Sequence, residues 1–194
     1  MISLEEKIGI WKGMPQDTPE QQLWADNYYD EELMPLALKR FSQRYGRRPL
    51  PEYYGMILLL GADWSEVAFQ VGLLSPQNIH VICTKDHMTQ YRQLVNALQL
   101  EEESCLCTTI SPGDMASLYR VMKKQHDIWD SVGKSAVDIT GGTSESSVAA
   151  AMAAAVFGMD VYQLEMLYAP DVVRHEPGTE HMLQIPLPES VLGD

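Results

Sequence analysis

From residue 56 onward, short apolar runs alternate with longer segments in which apolar residues recur every three or four positions. The apolar runs predict five strands, over residues 56–61, 78–84, 105–110, 135–140 and 159–167. The segments between and after them predict four helices, over residues 64–74, 87–99, 112–129 and 144–157. Strands that alternate with helices of this length form parallel sheets covered on both faces. The sequence therefore predicts an α/β fold with a Rossmann-like parallel sheet and flanking helices.

The two ends of the chain have a different pattern. Residues 1–55 contain two helical segments, 2–11 and 19–44, followed by a turn-rich linker, and Pro35 should kink the second helix. At the other end, the run HMLQIPLP predicts one edge strand that is ended by prolines. We therefore expect an N-terminal helical extension with a linker over residues 1–55, and a Rossmann-like domain over residues 56–194.

Charge limits the class of partner. The formal net charge is −13, and the basic residues are scattered rather than collected into a patch, so long nucleic acids are not expected partners. A small anionic ligand remains compatible, because backbone amides and helix termini act over a few ångströms while distant charges are screened. No segment has the roughly 20 apolar residues of a membrane span, and the N-terminus does not resemble a secretion signal. We expect a cytoplasmic protein that does not contact membranes.

Cysteine content argues against a disulfide framework. The chain has three cysteines, Cys83, Cys105 and Cys107, all in apolar strand-like segments. An odd number of cysteines in such segments is typical of buried, reduced thiols. The five histidines are dispersed, so neither a metal site nor a cofactor is expected.

Ligands of open parallel sheets bind at the carboxyl ends of the strands, so the turns that follow the first four strands are the expected site. The candidate ligand-binding residues in and beside these turns are Gly61, Ala62, Asp63, Trp64, Ser65, Thr84, Lys85, Thr109, Thr140, Gly141, Gly142, Thr143, Ser144 and Ser147.

The fourth turn is the most informative, because the strand VDIT runs into two glycines and then into hydroxyl residues that open a helix. Glycines permit close approach of a backbone to a ligand, and a helix N-terminus offers amide donors to an anion. In the alternative interpretation, Thr143 or Ser144 only caps the helix. The turn lacks the spacing of a P-loop or of a dinucleotide fingerprint, so neither ATP nor NAD is indicated.

The run VDITGGTSESSVAAAMAAAVFGMDVYQLE resembles the signature of CARF domains, the CRISPR-associated Rossmann-fold sensors of type III antiviral defence. The later run VVRHEPGTEHMLQIPLP is similar to the closing hairpin of that family. The resemblance implies a symmetric homodimer that binds cyclic tetra-adenylate or cyclic hexa-adenylate across its two-fold axis. It also implies control of an effector domain, which in this family commonly follows the sensor.

Two side chains have alternative roles under this resemblance. Trp64 either stacks on an adenine or packs against the neighbouring turn or the dimer face. Lys85, as the only cation in the four turns, either offsets the charge of the ring or is a solvated loop residue.

The main alternative is a ring nuclease that slowly cleaves the messenger by attack of a ribose 2′-OH. Its candidate catalytic residues are Ser65, Lys85 and Ser144. The interpretation leans against an enzyme, because Ser144 stands where many relatives carry Lys and no general base is evident. A second alternative is a dimerisation scaffold without a ligand, against which the glycine pair and the hydroxyl cluster argue.

Overall fold

The computed structural model describes residues 2–169, 172 and 174–192. Its strands are β1 (Gly55–Leu59), β2 (Asn78–Cys83), β3 (Cys105–Thr109), β4 (Ser135–Asp138), β5 (Asp160–Glu165), β6 (Tyr168–Ala169), β7 (Arg174–His175) and β8 (His181–Ile185). Its α-helices are α1 (Leu4–Lys12), α2 (Pro19–Tyr28), α3 (Met34–Tyr45), α4 (Ser65–Leu74), α5 (Met88–Leu98), α6 (Met115–Trp129), α7 (Ser144–Phe157) and α8 (Pro188–Leu192).

Six strands form one sheet in the order β3-β2-β1-β4-β5-β8. The pairs β1–β2, β1–β4, β2–β3 and β4–β5 are parallel, and β1 is buried along its whole length. Full burial on both faces explains why this strand has an unbroken apolar sequence. The predicted α/β fold with a Rossmann-like parallel sheet is confirmed.

The C-terminal strands also follow the prediction in outline. The short strands β6 and β7 pair antiparallel, with Tyr168 opposite His175, and β8 lies at the edge of the six-stranded sheet and ends before Pro186. The Pro-Gly-Thr-Glu turn connects β7 to β8, although these two strands belong to different sheets. Val173, which belongs to the predicted hairpin, lies outside the described residues.

The described residues cluster into two compact units. One comprises the residues up to Pro49 together with Glu165–His181, and the other comprises Leu50–Leu164 together with the residues from Met182 onward. The segment with β6 and β7 therefore groups with the N-terminal helices. The sequence-based boundary near residue 55 remains a prediction. No helix in the described part of the chain is long and apolar enough to cross a membrane.

In the first unit, the helix expected over residues 19–44 is interrupted. The π-helix Tyr29–Leu33 separates α2 from α3, and Pro35 lies in the first turn of α3. Proline lacks an amide donor and its ring collides with the carbonyl four residues earlier, so a continuous α-helix cannot pass through it. Arg174 of β7 places its guanidinium 3.7 Å from the centre of the Tyr29 ring and thereby holds the β6–β7 pair on these helices.

In the second unit, α6 and α7 cover one face of the sheet. The small side chains of Ala150 and Ala154 are fully buried there, which permits close packing of α7. The helix α6 begins later than expected, because Asp114 caps it by accepting a hydrogen bond from the Ser117 amide at 2.9 Å. Pro112 therefore lies in the preceding turn, where it is available to a ligand site.

Candidate functional site

The turns that follow β1, β2, β3 and β4 meet around one cleft of about 110 Å³. Parallel strands bring all four turns to the same edge of the sheet, so this convergence follows directly from the topology. The lining residues are Leu59, Leu60, Gly61, Ile82, Cys83, Thr84, His87, Ile110, Ser111, Pro112, Gly113, Met115, Leu118, Gly141, Gly142, Thr143 and Ser146.

The glycines of the first and fourth turns are required by their own packing. A Cβ on Gly61 would overlap the carbonyl oxygen of Gly141, and a Cβ on Gly141 would lie 2.5 Å from the carbonyl oxygen of Leu59. A Cβ on Gly142 would lie 2.6 Å from Ser147 Oγ. None of the three has a positive φ. Sequence reasoning explained the glycine pair by approach to a ligand, whereas in the structure the contact between the two turns already demands it.

The fourth turn is held by its own hydroxyl groups. Thr143 Oγ1 accepts the Ser146 amide at 3.3 Å and so caps α7, as the capping interpretation proposed. Ser147 Oγ, a predicted ligand-binding group, donates a hydrogen bond to the Ile139 carbonyl at 2.8 Å. Ser144 is exposed and does not line the cleft, whereas Thr143 both caps the helix and lines it.

The first turn directs its polar side chains inward. Asp63 Oδ1 accepts hydrogen bonds from the amide and the hydroxyl of Ser65 at 2.9 and 2.6 Å, and Ser65 is fully buried. Trp64 is only 4% exposed, and its amide donates to Gln90 Oε1 at 2.9 Å. The structure therefore favours the packing role for Trp64 over adenine stacking. Exposed Ala62 completes the turn without reaching the cleft.

The second and third turns contribute residues that the sequence analysis missed. A 3₁₀-helix over Lys85–His87 turns the imidazole of His87 toward Thr84, with Thr84 Oγ1 and His87 Nδ1 3.3 Å apart, and His87 lines the cleft. Lys85 is exposed and is not among the lining residues. In the third turn Ser111 lines the cleft instead of Thr109. In the sequence, the Ser-Pro-Gly turn before α6 could have indicated Ser111 as a residue of the site.

Beneath the fourth turn lies a buried carboxyl group. Asp138 is fully buried, and its Oδ1 accepts the amide of Thr140 at 2.9 Å and also the Thr140 hydroxyl. Thr140 Oγ1 in turn accepts the Leu164 amide at 2.8 Å, and Gln70 donates to the same oxygen at 3.5 Å. Burial raises the pKa of Asp138 to about 7, against the lowering effect of the Thr140 hydrogen bonds. Thr140 thus ties β4 to β5 rather than lining the cleft.

The electrostatic character of the cleft differs from that of the chain. None of its lining residues is acidic, although the chain carries a net charge of −13, and none is Lys or Arg. Its polar groups are backbone amides, the hydroxyls of Thr84, Ser111, Thr143 and Ser146, and the His87 imidazole. Such a surface suits an anion bound by amides and hydroxyls. The three candidate catalytic residues, Ser65, Lys85 and Ser144, do not line it.

An apolar face adjoins the cleft. The exposed side of α7 carries Val148, Met152 and Val156, which are 60%, 60% and 80% exposed and lie four residues apart on one face of the helix. Met152 and Val156 border a groove of about 810 Å³ together with Tyr119 and Ile128 of α6. Val148 lines a neighbouring groove of about 480 Å³, which Tyr119 and Met152 also border. Apolar side chains exposed in a contiguous group mark an interaction surface.

No family model matches the sequence, and no curated protein matches it either. Among solved structures, the chain is similar to Can2 from Sulfobacillus thermosulfidooxidans in complex with cyclic tetra-adenylate, at a TM-score of 0.53 and 12% identity over 72% of this chain and 39% of Can2. Csm6 from Enterococcus italicus, bound to cyclic hexa-2′-fluoro-hexa-dAMP, gives a TM-score of 0.49 and 10% identity over 70% and 43% of the two chains. This chain thus spans about two fifths of the length of Can2. The likeness to Can2 shows that the two chains share a fold.

The raised pKa of Asp138 predicts a specific pH dependence of stability. Between the unfolded pKa of 3.8 and the folded pKa of about 7, only the unfolded chain releases this proton, so the free energy of unfolding falls as pH rises. The loss should total on the order of 4 kcal/mol by pH 7 and be absent from Asp138→Asn. Urea unfolding of both proteins from pH 4 to pH 8 measures it. Parallel profiles would show that the pKa of Asp138 is the same in the folded and unfolded chains.

Proposed function

We propose that this chain, which has the fold of a CARF domain, is a sensor of cyclic oligoadenylate in type III CRISPR antiviral defence and binds the ring across a homodimer. The observation that carries the proposal is the convergence of four βα turns on a cleft with no acidic lining residue in a chain of net charge −13. The fold shared with Can2, which was solved with cyclic tetra-adenylate, supports the class of ligand.

The cleft offers two kinds of contact to such a ring. The phosphates would meet the turn over Gly141–Thr143 and the N-terminus of α7, where amide donors and the helix dipole favour negative charge. The adenines would lie against the apolar wall formed by Leu60, Ile110 and Met115. Lys85, exposed beside Thr84, would approach the ring from the rim.

The size of the cleft favours a shared site. Its volume of about 110 Å³ is well below the roughly 300–1,000 Å³ of pockets that enclose a drug-sized ligand. A ring of four or six nucleotides needs more surface than one chain provides here. A ring of even number can itself be two-fold symmetric, so two copies of the cleft could each bind half of it.

The apolar face of α7 is the surface that we assign to the second copy. Thr143, which caps the helix, lies in the cleft, and the helix carries Val148, Met152 and Val156 away from it. A partner chain that covered these side chains would bring its own fourth turn close to this one. The site and the interface would then be continuous, and ring binding would fix the relative position of the two chains and so signal to an effector.

Blocking the cleft should abolish ring binding. Ser111 is exposed and lines the cleft, so the indole of Ser111→Trp would fill it and weaken binding of cyclic tetra- or hexa-adenylate by about a hundredfold or more. Isothermal titration calorimetry with both rings measures the effect, and chromatography of the recovered ring tests for cleavage. The matched control is Ser131→Trp, since Ser131 is also exposed but precedes β4 at the opposite edge of the sheet. Equal binding by all three proteins would locate the ligand elsewhere.

A charge on the apolar face should prevent dimerisation. Met152→Glu would place a carboxylate from each chain in the proposed interface, and removing these two charges from water costs several kcal/mol. We expect the parent chain to sediment as a dimer at micromolar concentration and this variant as a monomer. Leu106→Glu serves as the control, because Leu106 is 52% exposed on the edge strand β3 and lies outside the face. A monomeric parent in the presence of the ring would contradict the shared site.

A further inference from the structure

Three sulfur atoms meet beside the cleft in a nearly equilateral triangle. Cys83 Sγ at the end of β2 lies 3.7 Å from Cys107 Sγ of β3, and each lies 3.9 Å from Sδ of Met88, the first residue of α5. The arrangement follows from the parallel register. Cys83 pairs with Thr109, so Cys107, two residues earlier, projects from the same face of the sheet.

The size of this triangle matches the coordination of a metal ion. A point at its centre lies about 2.2 Å from each sulfur, close to the metal–thiolate bond length of about 2.3 Å. An ion could therefore enter without displacing the three side chains. Thiolate and thioether sulfurs are soft ligands, which select Cu(I) over harder divalent ions.

We propose that Cys83, Cys107 and Met88 form a three-coordinate site for a soft monovalent metal ion of the Cu(I) class. A tetrahedral zinc site needs a fourth ligand of the thiolate, imidazole or carboxylate type. In the described part of the chain, no group of three His, Cys, Asp or Glu side chains is placed to hold a metal. The third ligand is therefore the thioether of Met88, and the three sulfur atoms give the site a trigonal geometry.

Binding exchanges protons for the metal. Both thiols lose their protons to solvent as two metal–thiolate bonds form, and the copper stays in its monovalent state throughout.

The position of the site allows an ion to reach it. Cys83 is buried but lines the cleft, while Cys107 and Met88 are half-buried. A bound ion would connect β2, β3 and α5 beside Thr84. It would therefore stabilise the fold by an amount that rises with the logarithm of the ion concentration over its dissociation constant.

The experiment uses the reduced chain under anaerobic conditions, with Cu(I) supplied from a chromophoric chelator that reports its own loss of metal. We expect one Cu(I) per chain, and an X-ray absorption spectrum with three sulfur neighbours at about 2.2–2.3 Å. Cys83→Ser and Cys107→Ser should each weaken binding by about a hundredfold, and Met88→Leu by about tenfold, with loss of one sulfur neighbour. Circular dichroism confirms that each variant is folded.

Cys105→Ser is the matched control, because Cys105 is on the same strand but makes none of the three contacts. Its binding should equal that of the parent. If the parent bound Cu(I) no more tightly than Cys107→Ser does, the three sulfur atoms would only be packed together. The same conclusion would follow if Cys105→Ser weakened Cu(I) binding as much as Cys107→Ser does. No cyclic oligoadenylate is present in this experiment, so its result is independent of the proposed sensor function.

Discussion

The backbone contact between Gly61 and Gly141 is the constraint on which the candidate site depends. The strand β1 lies between β2 and β4, and the helices that follow pack as two pairs, α4 with α5 and α6 with α7. The turns after β1 and β4 therefore leave the sheet side by side but lead to different helix pairs. The two turns can approach each other this closely only because the residues in contact, Gly61 and Gly141, have no Cβ. The cleft opens where they separate, as expected at a topological switch point.

Several elements could be predicted because their physical cause is local. The apolar runs located every strand of the parallel sheet to within one or two residues, since strands buried on both faces have few polar positions. The predicted span of α7, residues 144–157, matches the observed helix, which Thr143 caps at one end and Gly158 ends in the left-handed conformation at the other. The prediction of helix boundaries was wrong where two local sequence signals competed for the same boundary. Asp114 rather than Pro112 starts α6, and Pro35 converts the preceding turn to a π-helix rather than a simple kink.

The site itself was only partly predictable, because the direction of a side chain depends on contacts distant in sequence. Trp64 and Ser65 belong to the expected turn, yet α5 and Asp63 hold them inside the protein. His87 is the last residue of the 3₁₀-helix that follows β2, and only the structure shows that its side chain lines the cleft. The sulfur triangle depends on strand register together with the placement of α5, which no spacing along the chain reveals.

The account's central claim is that one ring is bound by two chains through their paired clefts. Native mass spectrometry of the parent chain with cyclic tetra-adenylate and cyclic hexa-adenylate measures the stoichiometry directly. The account predicts a complex of two chains with one ring for at least one of the two ligands. A complex of one chain with one ring, or the absence of any complex with either ring, would contradict it.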